Sequence, residues 1–333
     1  FAAGVIGVVY VKLLRLAEFT ITQLLGGLHL PKPYGEGGEL SVRARWVLLF
    51  LPAVGGLLVG WIHHRWPFRL MDATEGYVNI FHRFRAYLNP KWAFQRLFTS
   101  VITISTAGSA GKEGPAIFSA SAAAGWLSKI MRLPERERRV LFVAGGGGVL
   151  GAIFRAPIGG ALYAAEVLYR GAHMEAEALT PAIITSVTAY VIFGFFESWN
   201  PVFSTPHYTF RIVDFPFFGL LGILVAGVAY LYVKALDRAR FLFRLLKIPP
   251  WLKPGLGGLA VGAILFFVPH VAGTSYGVLQ AALYGQFTIQ LVLLLIALKI
   301  VATALTIGSG GSGGVFAPAV VTGGLSGLAF GLG

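Results

Sequence analysis

The chain has 333 residues, of which 56% are apolar and only 12% charged, against about 25% charged in an ordinary soluble domain. So little polar cover excludes a soluble globular enzyme, the hydrophobicity excludes a disordered chain, and the absence of cysteine excludes a disulfide scaffold. A surplus of 27 basic over 14 acidic residues would suit a nucleic-acid partner, but the apolar bulk does not. The class that remains is an all-α polytopic membrane protein.

Apolar stretches follow one another along the chain. Ala2 to Leu28 carries Lys12, Arg15 and Glu18 and reads as amphipathic. Trp46 to Ile62 is clean, and Phe98 to Trp126 is broken only by Lys112-Glu113. Val140 to Tyr169 is interrupted by Arg155 and Glu166. Ala178 to Phe196, Phe215 to Val233, Leu256 to Val271, Ile289 to Ile307 and Val315 to Gly333 complete the series. Several are under 20 residues, which spans ~30 Å of hydrocarbon only with tilt or partners. Glycine clusters at 145–148 and 308–314, inside apolar runs. Irregular backbone survives in lipid only where protein buries it or a wet cavity receives it, so broken helices around a midplane site are expected. The connections 63–69, 83–96, 129–139 and 234–253 are basic, which predicts that they share the cytoplasmic side.

Two segments repeat at an offset of 203 residues. Gly108-Ser109-Ala110-Gly111-Lys112-Glu113-Gly114-Pro115-Ala116-Ile117 aligns with Gly311-Ser312-Gly313-Gly314-Val315-Phe316-Ala317-Pro318-Ala319-Val320, and five of the ten pairs are identical. Upstream, Thr103-Ile104 matches Thr306-Ile307. Each copy joins two apolar helices, the pattern of a binding site at a repeat interface. The first half is expected over 1–196 and the second over 197–333. If the halves are equivalent, roughly 65 residues of the second, with its C-terminal helices, lie beyond Gly333.

Pro115 and Pro318 mark helix starts, because proline's missing N–H costs nothing in a first turn. The glycines before them let backbone N–H groups approach a ligand closely. A helix N-terminus offers unpaired N–H donors and about half a positive charge. Two of them converging make an anion site without a full cation, which suits fast release. Glu113 would then sit in that site and vacate it on protonation or side-chain rotation. The plainer alternative is a helix-capping glutamate. Lys112 would add positive field, pair with Glu113 or snorkel to the surface.

Gly111-Lys112-Glu113-Gly114-Pro115 resembles the G-(K/R)-E-G-P motif of the CLC chloride channel and transporter family. Gly313-Gly314-Val315-Phe316-Ala317-Pro318 resembles its G-x-F-x-P motif, and Phe154-Arg155-Ala156-Pro157-Ile158-Gly159-Gly160 with Glu166 also matches. The resemblance covers essentially the whole chain. It implies an inverted-repeat fold of tilted, broken helices, and a homodimer in the plasma (inner) membrane with one anion pathway per subunit. It implies that Glu113 gates, that Val315 and Phe316 bind the anion at the centre, and that Lys112, Gly114 and Ala317 bind it externally.

Three departures bear on mechanism. The family's G-S-G-x-P serine, which touches the central anion, has no counterpart in Leu70-Met71-Asp72-Ala73-Thr74-Glu75-Gly76. Asp72 reads as a helix cap. A methionine stands at the serine's place in the family's fluoride-exporting branch, which keeps fluoride open beside chloride. Proton-coupled members commonly carry a second glutamate where this chain aligns Val167, although some lack it, and several channels have valine there. That favours passive conduction, although a one-residue slip would make Glu166 the relay; otherwise Glu166 reads as a buried structural acid. The family's central tyrosine lies in a part of the fold beyond these residues.

Gly146-Gly147-Gly148-Val149-Leu150-Gly151 imitates a dinucleotide loop, but no strand is expected before it; small-residue helix packing is the better account. The seven histidines lack H-x-x-x-H spacing, so no metal or other cofactor is expected. Neither a nucleophile–base set for an intramembrane enzyme nor a reason for a structural scaffold to carry two Gly-rich helix starts is evident.

Overall fold

A computed structural model describes residues 1–25, 27–29, 41–67, 73–169, 174–205, 209 and 211–332. Met71 and Asp72 lie outside them. The first apolar run forms α1 (Ala2–Ala17) and continues as a π-helical turn over Glu18–Leu25. A two-residue antiparallel pair, β1 (Leu28–His29) with β2 (Ser41–Val42), leads to α2 (Arg45–Arg65). Then come α3 (Ala73–Arg83), α4 (Pro90–Ser105), α5 (Glu113–Ile130), α6 (Glu135–Phe154) and α7 (Pro157–Glu166). The remainder is α8 (Ala176–Phe196), α9 (Phe215–Leu245), α10 (Lys253–Phe267), α11 (Tyr276–Leu283), α12 (Ile289–Gly308) and α13 (Phe316–Leu332).

The broken runs break where the glycine and proline signals stand. Phe98–Trp126 divides into α4 and α5, and Val140–Tyr169 into α6 and α7. Arg155, at φ 56°, closes α6, and Pro157 opens α7 at its first turn. Asn89 caps α4 by accepting from the Lys91 N–H at 3.1 Å. Two expected loops prove helical. α9 runs 31 residues to Leu245, about 46 Å at 1.5 Å per residue, so it carries Lys234, Arg238, Arg240 and Arg244 out of the hydrocarbon as helix. Arg96, counted with a basic connection, lies buried on α4.

The basic stretches do share one end of the molecule. Lys129 sits over the Tyr87 ring at 4.3 Å, and Arg85 pairs with Glu135 at 3.6 Å. Gln95 donates to the Trp66 carbonyl at 2.9 Å, and Arg240 reaches Glu75 at 3.1 Å. Among the described residues, five spans are long and apolar enough to cross a membrane: Arg45–Arg65, Ala176–Phe196, Ile212–Leu245, Pro250–Phe267 and Ile289–Gly308. The outward side chains of α9, among them Phe217, Leu220, Ile223 and Leu231, are apolar and exposed, a surface matched to lipid. The glycines of α6 pack as small-residue helices do: Gly145 lies against the Ala120 carbonyl, Gly147 against Ala161 and Gly151 against Ser186.

Candidate functional site: two helix starts meeting in the interior

The turn before α5 and the turn before α13 have the same construction. Thr103 accepts from the Gly108 N–H at 2.9 Å, and Thr306 accepts from the Gly311 N–H at 2.9 Å, both through backbone carbonyls. The second residue after each helix adopts positive φ, 65° at Ala107 and 105° at Gly310. At Gly310 only glycine takes such a conformation freely.

The two turns then bond to each other reciprocally. The Ser109 N–H donates to Thr306 Oγ1 and the Ser312 N–H to Thr103 Oγ1, each at 3.1 Å. Gly111 N–H donates to the Gly314 carbonyl at 2.7 Å, and Gly314 N–H returns the bond to Gly111 at 2.8 Å. Every pair exchanges its members at the offset of 203, so a local two-fold relates the segments. The side chains follow less strictly: Ser109 shares a 2.9 Å bond with Thr303, but Ser312 accepts from Thr99. Thr306→Val removes the acceptor of a buried N–H, which costs about 1–3 kcal/mol. By the local symmetry Thr103→Val should cost as much, and parallel thermal unfolding in detergent checks both.

This pairing sets the starts of α5 and α13 against one another. An added Cβ at Gly314 would stand 2.8 Å from the Gly114 N, and one at Gly111 would stand 3.0 Å from the Ala317 N. No side chain caps α5 at Lys112. Glu113, 1% exposed, opens α5. Its Oε1 accepts from the Tyr276 hydroxyl at 2.7 Å. Its Oε2 lies over Gly111, where a Cβ would come within 2.6 Å. Gly111, Gly114, Gly314 and Ala317 thus meet beside one buried carboxylate, Gly313 packs on Ala110 of the facing turn, and Pro115 and Pro318 lie in the first turns of α5 and α13.

Val315 and Phe316 are half-buried beside it. The Val315 carbonyl accepts from the Tyr232 hydroxyl at 2.8 Å, which fixes that peptide. The Phe316 ring stands edge-on between Phe154 at 5.2 Å and Tyr163 at 4.9 Å. Tyr163 belongs to α7, so α7 touches the site through its ring. Glu166, at the end of α7, is exposed; the buried structural acid expected there is not found. Val167 is half-buried against the core.

A cavity lies on either side of the paired turns. α2 and α10 run antiparallel, Gly56 against Pro254 and Gly262 against Leu49. Their basic end, with His63, Lys253, Arg240, Arg244 and Arg96, lines a cavity of about 720 Å³ that reaches the turn at 308–311. At the other end a cavity of about 90 Å³ is lined by Arg15, Glu18, Lys112 and Tyr276. Lys112 thus faces the smaller cavity and, among the described residues, makes no ion pair with Glu113.

Four side chains of the site escaped the sequence reading: Tyr276, Tyr232, Arg96 and Lys299. Arg96 and Lys299 are themselves 203 apart and both buried, at 5% and 1% exposure. Arg96 borders the larger cavity, whereas Lys299 reaches the loop bordering the smaller one. A basic residue inside an apolar helix is a signal by itself, and the repeat offset would have paired them.

The sequence model described as voltage gated chloride channel matches residues 55–333. A ClcB-like chloride channel protein of Ralstonia nicotianae is 31% identical over 302 residues, which are 86% of this chain and 68% of that protein. The voltage-gated ClC-type chloride channel ClcB of Escherichia coli is 28% identical over 301 residues, 86% of this chain and 69% of its own. Among solved structures, a slow cyanobacterial Cl⁻/H⁺ antiporter superposes with TM-score 0.80 at 19% identity, over 98% of this chain and 76% of that one. A CLC-type fluoride/proton antiporter gives 0.77 at 21% identity, over 96% and 75%. The fold of broken helices is the fold of those transporters. With the sequence match running through both glycine-rich turns, the chain is an integral, multi-pass membrane protein and belongs to the CLC, or voltage gated chloride channel, family.

Proposed function

We propose that the protein carries chloride through its membrane by passive conduction, with Glu113 as the gate. The observation that carries this reading is the meeting of two helix N-termini in the buried interior with one carboxylate between them. Backbone dipoles attract an anion there, and the Glu113 carboxylate occupies the place the anion needs. Val315, Phe316, Ala317, Lys112 and Gly114 are the groups proposed to receive the anion once Glu113 leaves. The basic cavity concentrates anions at one mouth. Passive conduction is favoured by Val167, which has no proton to relay. The halves 1–196 and 197–333, supported by the reciprocal turn contacts, and a homodimer in the plasma membrane belong to the same reading.

A second reading is favoured by the two solved neighbours, both proton antiporters. In it the chain exchanges chloride or fluoride for protons, with Glu113 and, by a slipped register, Glu166 on the proton path. Reconstitution in liposomes separates the two. Under a chloride gradient with no proton gradient, passive conduction predicts chloride efflux without net proton uptake. Proton movement driven by chloride would overturn it in favour of exchange, and a fluoride gradient in place of chloride reads the selectivity.

A further inference from the structure

Lys299 is an ammonium sealed inside the protein, with no ion pair among the described residues. Its three donors are spent on one loop: the Val271 carbonyl at 3.1 Å, the Gly273 carbonyl at 2.7 Å and Ser275 Oγ at 2.8 Å. That loop follows α10 and ends at Ser275, which sits at φ 58° and donates to the His270 and Ala272 carbonyls. Gly273 also has positive φ. A non-glycine residue held left-handed persists only where its surroundings over-determine it, and Lys299 supplies much of that determination. The next residue is Tyr276, whose hydroxyl donates to Glu113 Oε1 and whose ring is 2% exposed, edge-on to Phe203 at 5.2 Å. An unbroken run of buried contacts therefore leads from α12 to the carboxylate at the site.

We propose that Tyr276 is a latch holding Glu113 in the anion site, and that Lys299 is the positioning residue that aims the latch by pinning the 271–275 loop. The latch rests on the gating reading of Glu113 and deepens it. A phenol donating to a carboxylate favours that arrangement over any in which the side chain has swung away. Lys299 need not touch Glu113. It fixes the backbone from which Tyr276 projects, and a buried cation spent on carbonyls is a costly choice unless the loop's position matters. The design also separates strength from placement: the hydroxyl supplies the hold, and the ammonium supplies its geometry.

The test is chloride flux in liposomes for the wild type, Glu113→Ala, Tyr276→Phe, Lys299→Met and the double variants. Tyr276→Phe should raise flux about ten- to a hundredfold, as expected for one hydrogen bond to a charged group. It should add nothing in the Glu113→Ala background. Lys299→Met should raise flux less, and Lys299→Met/Tyr276→Phe should match Tyr276→Phe alone. A merely structural lysine would instead lower flux in both backgrounds, which would overturn its positioning role. If Lys299→Met does not fold, Ser275→Ala removes one of its acceptors and should raise flux about twofold, again only when Tyr276 is present; an unchanged flux overturns the role. If Glu113→Ala raises flux while Tyr276→Phe behaves as wild type, the latch is wrong and the gate stands. If Glu113→Ala itself leaves flux unchanged, the gating reading fails and takes the latch with it.

Discussion

Replacing Glu113 by alanine is expected to raise chloride flux about tenfold or more and to flatten its dependence on pH. The carboxylate sits where two helix starts meet, held by the Tyr276 hydroxyl at 2.7 Å. A hydrogen bond to a charged group contributes about 1.5–3 kcal/mol, and each 1.4 kcal/mol is a factor of ten in a population. The side chain is therefore weighted toward blocking by one to two orders of magnitude. Wild-type flux should rise as pH falls, because protonation removes the charge that the helix dipoles attract. Alanine at 113 has no proton to gain, so that rise should disappear. If the protein exchanges rather than conducts, the same substitution should abolish proton movement while chloride still flows, so chloride and proton flux must be recorded together. Gly314→Ala is a poor substitute test, since its Cβ would stand 2.8 Å from the Gly114 N. A change there would confound packing with charge.

The site was legible because its chemistry is local in sequence. Glycines that permit close approach, a proline that opens a helix and a lone carboxylate stand within five residues of one another, and the repeat names the partner turn 203 residues away. What the repeat could not show is that the turns bond to each other through Gly111 and Gly314, since main-chain pairing leaves no mark on side-chain identity. Tyr276 was invisible for a different reason. It comes from a short helix in neither repeat motif, and its hydroxyl meets Glu113 only through tertiary folding across 163 positions. Lys299 was present in plain view, a single charge within α12, yet hydropathy over a long window averages it away. The long α9 shows the reverse failure: a basic face was read as a loop although the helix continues beyond the hydrocarbon. Membrane spans follow from composition, but helix ends outside lipid depend on what they pack against.

Gly262→Ala is expected to destabilise the protein by about 3 kcal/mol or more, at the upper end for an overpacked core. Its effect on transport should follow from the fold rather than from any contact with the anion. α2 and α10 touch backbone to backbone through four glycines, Gly56 and Gly60 on one helix and Gly258 and Gly262 on the other. A Cβ at Gly262 would lie 1.9 Å from the Leu49 carbonyl oxygen, at Gly60 2.0 Å from that of Trp251, and at Gly56 and Gly258 2.1 Å from those of Pro254 and Pro52. The obstacle is main chain in every case, so relief requires the helices to separate rather than a side chain to rotate. The spacing of four residues on each helix is the signature of close packing in lipid, where small residues substitute for a hydrophobic driving force. Separation would reach both cavities beside the paired turns. Lys253 at the start of α10 and His63 near the end of α2 border the larger cavity. The far end of α10 leads into the loop that carries Tyr276 to Glu113. Thermal unfolding in detergent should record the loss, and flux per reconstituted molecule should fall with it. Gly222→Ala on α9, where nothing lies within 4 Å of the added carbon, should be neutral or stabilise by up to about 1 kcal/mol through helix propensity. Equal losses from the two substitutions would show that glycine content, rather than the α2–α10 contact, is what matters. A large loss confined to Gly262 identifies that contact as the frame on which the paired turns and Glu113 are mounted.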